Sequence, residues 1–352
     1  MKIKIRKTTL LLLTALTLTG CDEEKLSDRS VIDDGKQQIE TTQLDNWILD
    51  NITKPYGIEV IYRWEKNTGS TGTFIYPPKL ENVRAILEAV RELGLETYRL
   101  KEVGGADFLL GRLPIKLYLY GGGNPDENGV ERLNNPQLTA AEMCLYNVND
   151  FNPGDADKMF VLMRSVHHQL AKRLMQLIAY DRDKFFTISG HRYTGSTELI
   201  AAQLGYASTG KEKFGLDAYA NKRGFYTMLS FLSAEDDFAE IISATLTSTP
   251  KEVYDATVTA KTPDTDVDPE VNARYAKEAE QAYKEFTEKQ AFVNEYVQKS
   301  WHINLKQMQV ISVRRINAYI KQHQEKMNNR YMKYCLVLAA LLLACLLYTS
   351  PS

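Results

Sequence analysis

MFVLMRSVHHQLAKRLMQ, residues 159–176, is the stretch from which this chain is best read. Phe160, Met163, Val166, Leu170 and Leu174 recur at three- and four-residue steps, which places them on one face of an α-helix. His168 and Lys172 are four apart and share a face, whereas His167 points about 100° away from His168. Downstream, Ser233-Ala234-Glu235-Asp236-Asp237-Phe238-Ala239-Glu240 opens a second helix. Ser233 is its N-cap, Asp236 completes a capping-box-like start, and Glu240 falls a turn or so inside. The acidic run Glu235-Asp236-Asp237 complements the positive end of the helix dipole.

Outward from this pair, the apolar pattern predicts strands first and helices afterwards. Short helices are expected over 44–52 and 80–93, the first broken by Lys54-Pro55-Tyr56-Gly57. The β-branched and aromatic run 58–64 and the segments 115–120 and 142–148 read as strands, the last at a sheet edge. Gly121-Gly122-Gly123 reads as a turn, because no Lys-Ser/Thr and helix follow it as a phosphate cradle needs. From 155 onward helices dominate, so the fold class is α+β. An acidic, proline-bounded linker over 262–269 precedes two long helices, 271–301 and 304–323, and Tyr275, Ala279, Ala282, Phe286 and Phe292 mark the apolar stripe of the first. His302 and His323 read as surface or packing residues.

Residues 159–245 resemble the zinc metallopeptidase lipoproteins of Bacteroidetes, also called substrate-import-associated zinc metallohydrolases. Those proteins carry an H-H-E-x-x-H helix and, downstream, a helix containing D-F-A-E. The resemblance implies a zincin-like metallopeptidase fold with a small N-terminal sheet, a helical active-site region and C-terminal helices. It implies zinc as cofactor, with His168 at the first zinc histidine and Glu240 at the third ligand position. In such a site two histidines and a carboxylate hold the ion, and an intervening glutamate takes a proton from zinc-bound water. The chain departs from the pattern twice. Gln169 stands at the general-base position, and an amide accepts no proton at neutral pH; Lys172 stands at the second histidine and offers donors but no lone pair. His191 is a substitute ligand to be tested against the geometry. The expectation is impaired or lost hydrolysis, with Lys172 pairing with Glu240 across the two helices in the metal's place.

The two ends carry their own signals. Lys2, Lys4, Arg6 and Lys7 precede an apolar run over 8–19, too short for the ~20 residues of a membrane span. Leu18-Thr19-Gly20-Cys21 closes it and resembles a lipobox, with Cys21 the lipidated residue; Asp22-Glu23-Glu24 resembles a surface-export signal. The expected organisation is a signal peptide over 1–20, a tether over 21–43, the metallopeptidase domain over 44–261, a helical extension over 262–325 and a tail over 326–352. The tail reads as a second lipoprotein leader fused to the chain: an apolar run follows Met332, and Leu342-Leu343-Ala344-Cys345 is again lipobox-like. A tail anchor is the alternative. The resemblance further implies the outer membrane, cell-surface exposure, and a TonB-dependent transporter with its binding lipoprotein as partners.

Composition narrows the field. The 352 residues are 44% hydrophobic and 25% charged with a formal net charge of −2, an ordinary globular balance without the basic excess of a nucleic-acid binder. Cysteines stand at 21, 144, 335 and 345, so Cys144 alone lies inside the body and no disulfide framework is expected.

Overall fold

Pro55 does not end the first helix; Gly57 does. In the computed structural model, which describes residues 42–63, 75–125, 138–195 and 215–348 with positions 133, 135 and 197, helix α1 (Gln43–Ile48) widens into a π-helical turn at Leu49–Thr53 and adds a last turn at Lys54–Tyr56. The Lys54 N–H reaches back five residues to the Leu49 carbonyl. That looser winding accommodates a proline, which has no N–H to donate, and the chain stops at Gly57 with φ +69°. The leader, the lipobox and Cys21 lie outside the described residues, as does Trp64. From Asn46 onward the described residues form one compact unit.

Three short strands, β1 (Glu59–Ile61), β2 (Lys116–Leu119) and β3 (Glu142–Leu145), make a parallel sheet in that order. The register sets Val60 against Leu117, and Tyr118 against Cys144. Helix α2 (Leu80–Ala89) lies on the crossover from β1 to β2, burying Val83, Ile86 and Leu87. It widens into a π-helix at Val90–Leu95 and closes with Glu96–Arg99. As expected, β3 is an edge strand.

Helices then take over. α3 (Ala156–Leu177) is capped by Asp155, whose side chain accepts from the Asp157 and Lys158 N–H groups. α4 (Arg182–Ser189) leads toward α5 (Ala234–Thr247), which Ser233 caps by accepting from the Asp236 N–H, as the sequence indicates. α6 (Pro250–Lys261) starts with a full capping box between Thr249 and Glu252. α7 (Pro269–Tyr296) follows the acidic linker, with Asp268 as N-cap, and α8 (Leu305–Tyr348) follows a turn in which His302 takes φ +58°. α8 runs without interruption past Lys326. His302 is exposed, and His323 lies against Tyr319. Among the described residues no helix is long and apolar enough to cross a membrane.

The core sits around α5, nearly all of whose residues are buried. Phe238 meets Tyr180, Phe185, Phe292 and Tyr296 in tilted and edge-on contacts, and α3 covers the opposite side. Burying an aromatic side chain stabilises the fold by about 2–3 kcal/mol, so this cluster fixes how α5 sits between α3 and α7. Gly94 brings the π-helix against α3: a Cβ there would lie 2.8 Å from Val166 Cγ1.

Candidate functional site

Arg164, His168 and Lys172 are spaced one turn apart on α3, and Asp236 and Glu240 one turn apart on α5. Because the helices pack face to face, the two rows interlock. Arg164 Nη2 donates to Glu240 Oε2 at 2.5 Å. His168 Nδ1 lies 2.7 Å from Glu240 Oε1, Lys172 Nζ donates to Asp236 Oδ1 at 2.6 Å, and His168 Nε2 lies 3.6 Å from that same oxygen. Thr227 and Ser243 also donate to Glu240.

The electrostatics follow from this order. Burial alone would raise the Glu240 pKa; the charge of Arg164 and the hydrogen bond and charge of His168 outweigh it and bring the carboxyl down to about 2. Burial works the same way on Asp236 and is overcome by His168 and Lys172, which hold it well below the carboxylate range. Burial would lower the His168 pKa, yet hydrogen bonds to Asp236 and Glu240 raise it above the ordinary histidine value. An ionised Glu240 can only accept, so His168 Nδ1 carries a proton toward it. His167 points the other way, with Nδ1 3.3 Å from the Tyr98 hydroxyl; burial first and the Arg164 charge second push its pKa down to about 3. It is a neutral core residue.

The structure corrects one expected contact: Lys172 pairs with Asp236 and not with Glu240. Glu240 lies one turn deeper on α5 than Asp236 and is already met by Arg164, the cation two turns before Lys172 on α3. Neither Arg164 nor Asp236 belongs to the recognised motif. The signal that could have found them is the four-residue step itself, 164–168–172 against 236–240. The dipole reading of the acidic run is also incomplete, since Asp237 turns away to pair with Lys289 at 2.7 Å, both side chains fully buried. His191 does not join the cluster: its imidazole is exposed and lies 3.5 Å from Glu285.

Gln169 has a definite task. Its Oε1 accepts from the Cys144 N–H at 2.9 Å, and its Nε2 donates to the Cys144 carbonyl at 2.7 Å. The same nitrogen donates to Ser165 Oγ at 3.0 Å. A side-chain amide, which donates and accepts side by side, pairs with the open edge of β3 as another strand would. Cys144 itself is buried with its thiol free, and burial pushes its pKa up to about 12. The glycine run is a packed turn: Cβ atoms at Gly121 and Gly122 would collide with Tyr76.

Fold and site together describe an α+β protein whose central helix pair sets one histidine between two carboxylates, each paired with a cation. The chain belongs to the family described as "Putative zinc-binding metallo-peptidase", whose model matches residues 36–306. It is similar in fold to the crystal structure of a "putative zinc-binding metallo-peptidase from Bacteroides caccae", with a TM-score of 0.54 and 23% identity over 79% of this chain and 93% of that one. No curated protein matches it.

Zinc is the cofactor that the family's description names, and the side chains here do not fit it. Lys172 brings an ammonium without a lone pair, and Glu240 is taken up by Arg164, Thr227 and His168. Among the described residues no three His, Cys, Asp or Glu side chains are arranged to hold a metal ion.

Proposed function

We propose that this chain is a lipid-anchored member of the family that has lost hydrolysis and acts as a binding or scaffolding subunit of a nutrient-import complex. The observation that carries the loss of hydrolysis is the pair of cations, Arg164 and Lys172, on the carboxylates of the histidine–carboxylate frame. A site already neutralised by fixed side-chain cations has little attraction left for a divalent ion. Gln169, engaged with the edge of β3, has no capacity to act as general base. The frame retains a zincin-like arrangement in which the former catalytic helix has become a structural one.

The anchoring rests on the lipobox at Cys21, and the import role on the family resemblance: a surface lipoprotein of the outer membrane, beside a TonB-dependent transporter and its binding lipoprotein. Two experiments test the reading. The purified full chain should cleave neither a broad peptide library nor oligosaccharides with or without added zinc; cleavage abolished by substituting His168 would refute the loss of activity. In cells, a palmitate analogue should label the wild type and not Cys21→Ser, and equal labelling would rule out the anchor.

A further inference from the structure

Which of the two carboxylates faces the position where a cation belongs is settled by the two nitrogens of His168. A metal-bound histidine donates its other ring N–H to a carboxylate or carbonyl behind it. Here Nδ1 is the nitrogen so held, 2.7 Å from the fully buried Glu240. Nε2 is the nitrogen left to face outward, and the atom in front of it is Asp236 Oδ1, at 3.6 Å. That same oxygen receives Lys172 Nζ at 2.6 Å, and residue 172 is the one whose side chain stands a turn beyond His168 on the same face.

We propose that the Lys172 ammonium occupies the cation position of this fold, with Asp236 as the carboxylate that binds it and Glu240 as a positioning residue behind His168. The assignment rests on the loss of catalysis argued above, and it moves the cation-binding carboxylate from Glu240, which the family resemblance picks out, to Asp236. It accounts for the whole row. Arg164 neutralises the positioning carboxylate, Lys172 neutralises the binding one, and neither anion is left buried without a counter-charge, which would be costly. It also explains why Asp236 is the less enclosed of the two: its side chain is 15% exposed and that of Lys172 26%, whereas Arg164 and Glu240 are 3% and 0% exposed. The position that once exchanged with solvent remains the outer one.

Metal binding by the full chain tests this, read by equilibrium dialysis against Zn²⁺ and by the visible bands of tetrahedral Co²⁺, with circular dichroism to establish folding. Wild type should retain no stoichiometric metal. Lys172→His should take up one equivalent, since His168, residue 172 and Asp236 then supply three ligands. In that background Asp236→Asn should abolish the cobalt bands, whereas Glu240→Gln should weaken binding only about 10–100-fold. The reverse ranking, or a folded Lys172→His that takes no metal, overturns the proposal, as does stoichiometric zinc in the wild type. Should Lys172→His fail to fold, Lys172→Ala replaces it: zinc should raise the melting temperature of this variant and not of the wild type, and equal behaviour overturns the idea. Peptide cleavage by the metal-free wild type would defeat the loss of catalysis and leave this assignment standing.

Discussion

Gln169 and Lys172 look from the motif alike, as two lost catalytic residues, yet they do different structural work. Gln169 is buried and satisfies both backbone groups of Cys144. Gln169→Glu removes the donor and sets a carboxylate against the Cys144 carbonyl, so a loss of about 3 kcal/mol is expected in urea melts. Lys172 is partly exposed, and Lys172→Met should cost only about 1–2 kcal/mol. A double-mutant cycle should couple it to Asp236 and show additive losses with Glu240→Gln. The helix carrying these residues was plain from apolar spacing, and the departures at 169 and 172 were visible as letters. Their partners were not. Hydrogen-bond partners far apart in sequence, such as Cys144 for Gln169, depend on which turn of α5 meets which turn of α3, and composition carries no trace of that register.

At the scale of elements, the α3–α5 contact is the structural centre, and its inner pair tests it by acidity. The Glu240 pKa falls from 4.5 to about 2 on folding, so the ionised form favours the folded state above pH 4.5, and this contribution is lost as pH falls through 2. The destabilisation caused by Glu240→Gln should therefore be full at pH 7, shrink below pH 4.5 and approach zero near pH 2, measured as the difference between paired denaturant melts. A constant difference would show that the charge of Glu240 is not what α3 holds. Gly94 tests the other side of α3. Gly94→Ala drives a methyl into Val166 and should cost about 1–3 kcal/mol, with Val166→Ala recovering part of it. Strand positions and Ser233 capping were legible from local pattern. The π-helical turns at Leu49–Thr53 and Val90–Leu95 were not, because a one-residue widening leaves the three- and four-residue apolar spacing nearly intact.

For the whole molecule, strand signals that stop before residue 150 and helical signals that continue after it sufficed for the α+β class, and the family match spans the body from 36 to 306. The end of α8 lies beyond that match and exposes Met332, Tyr334, Val337 and Leu341, each about 60% accessible. Little stability can come from side chains so open. A chain stopped after residue 330 should keep its melting temperature within a degree or two and show less self-association in sedimentation, since an apolar stripe has been removed. A marked drop in melting temperature would mean that the terminal turns support the fold.

The double grip of Gln169 on Cys144 also bears on the lineage's freedom to change. One nucleotide separates a glutamine codon from a glutamate codon, so the general base lies a single mutation away. Yet the carboxylate would loosen the sheet's edge at once and return nothing while residue 172 remains a lysine. Changing Lys172 first would leave Asp236 short of its cation until a metal ion replaced it. On the proposed reading, each route back to catalysis thus begins with no gain in activity, and the route through residue 169 begins with a less stable protein. On that reading the amide at 169 acts as a ratchet: it closes the sheet and makes the proposed loss of hydrolysis hard to reverse one substitution at a time.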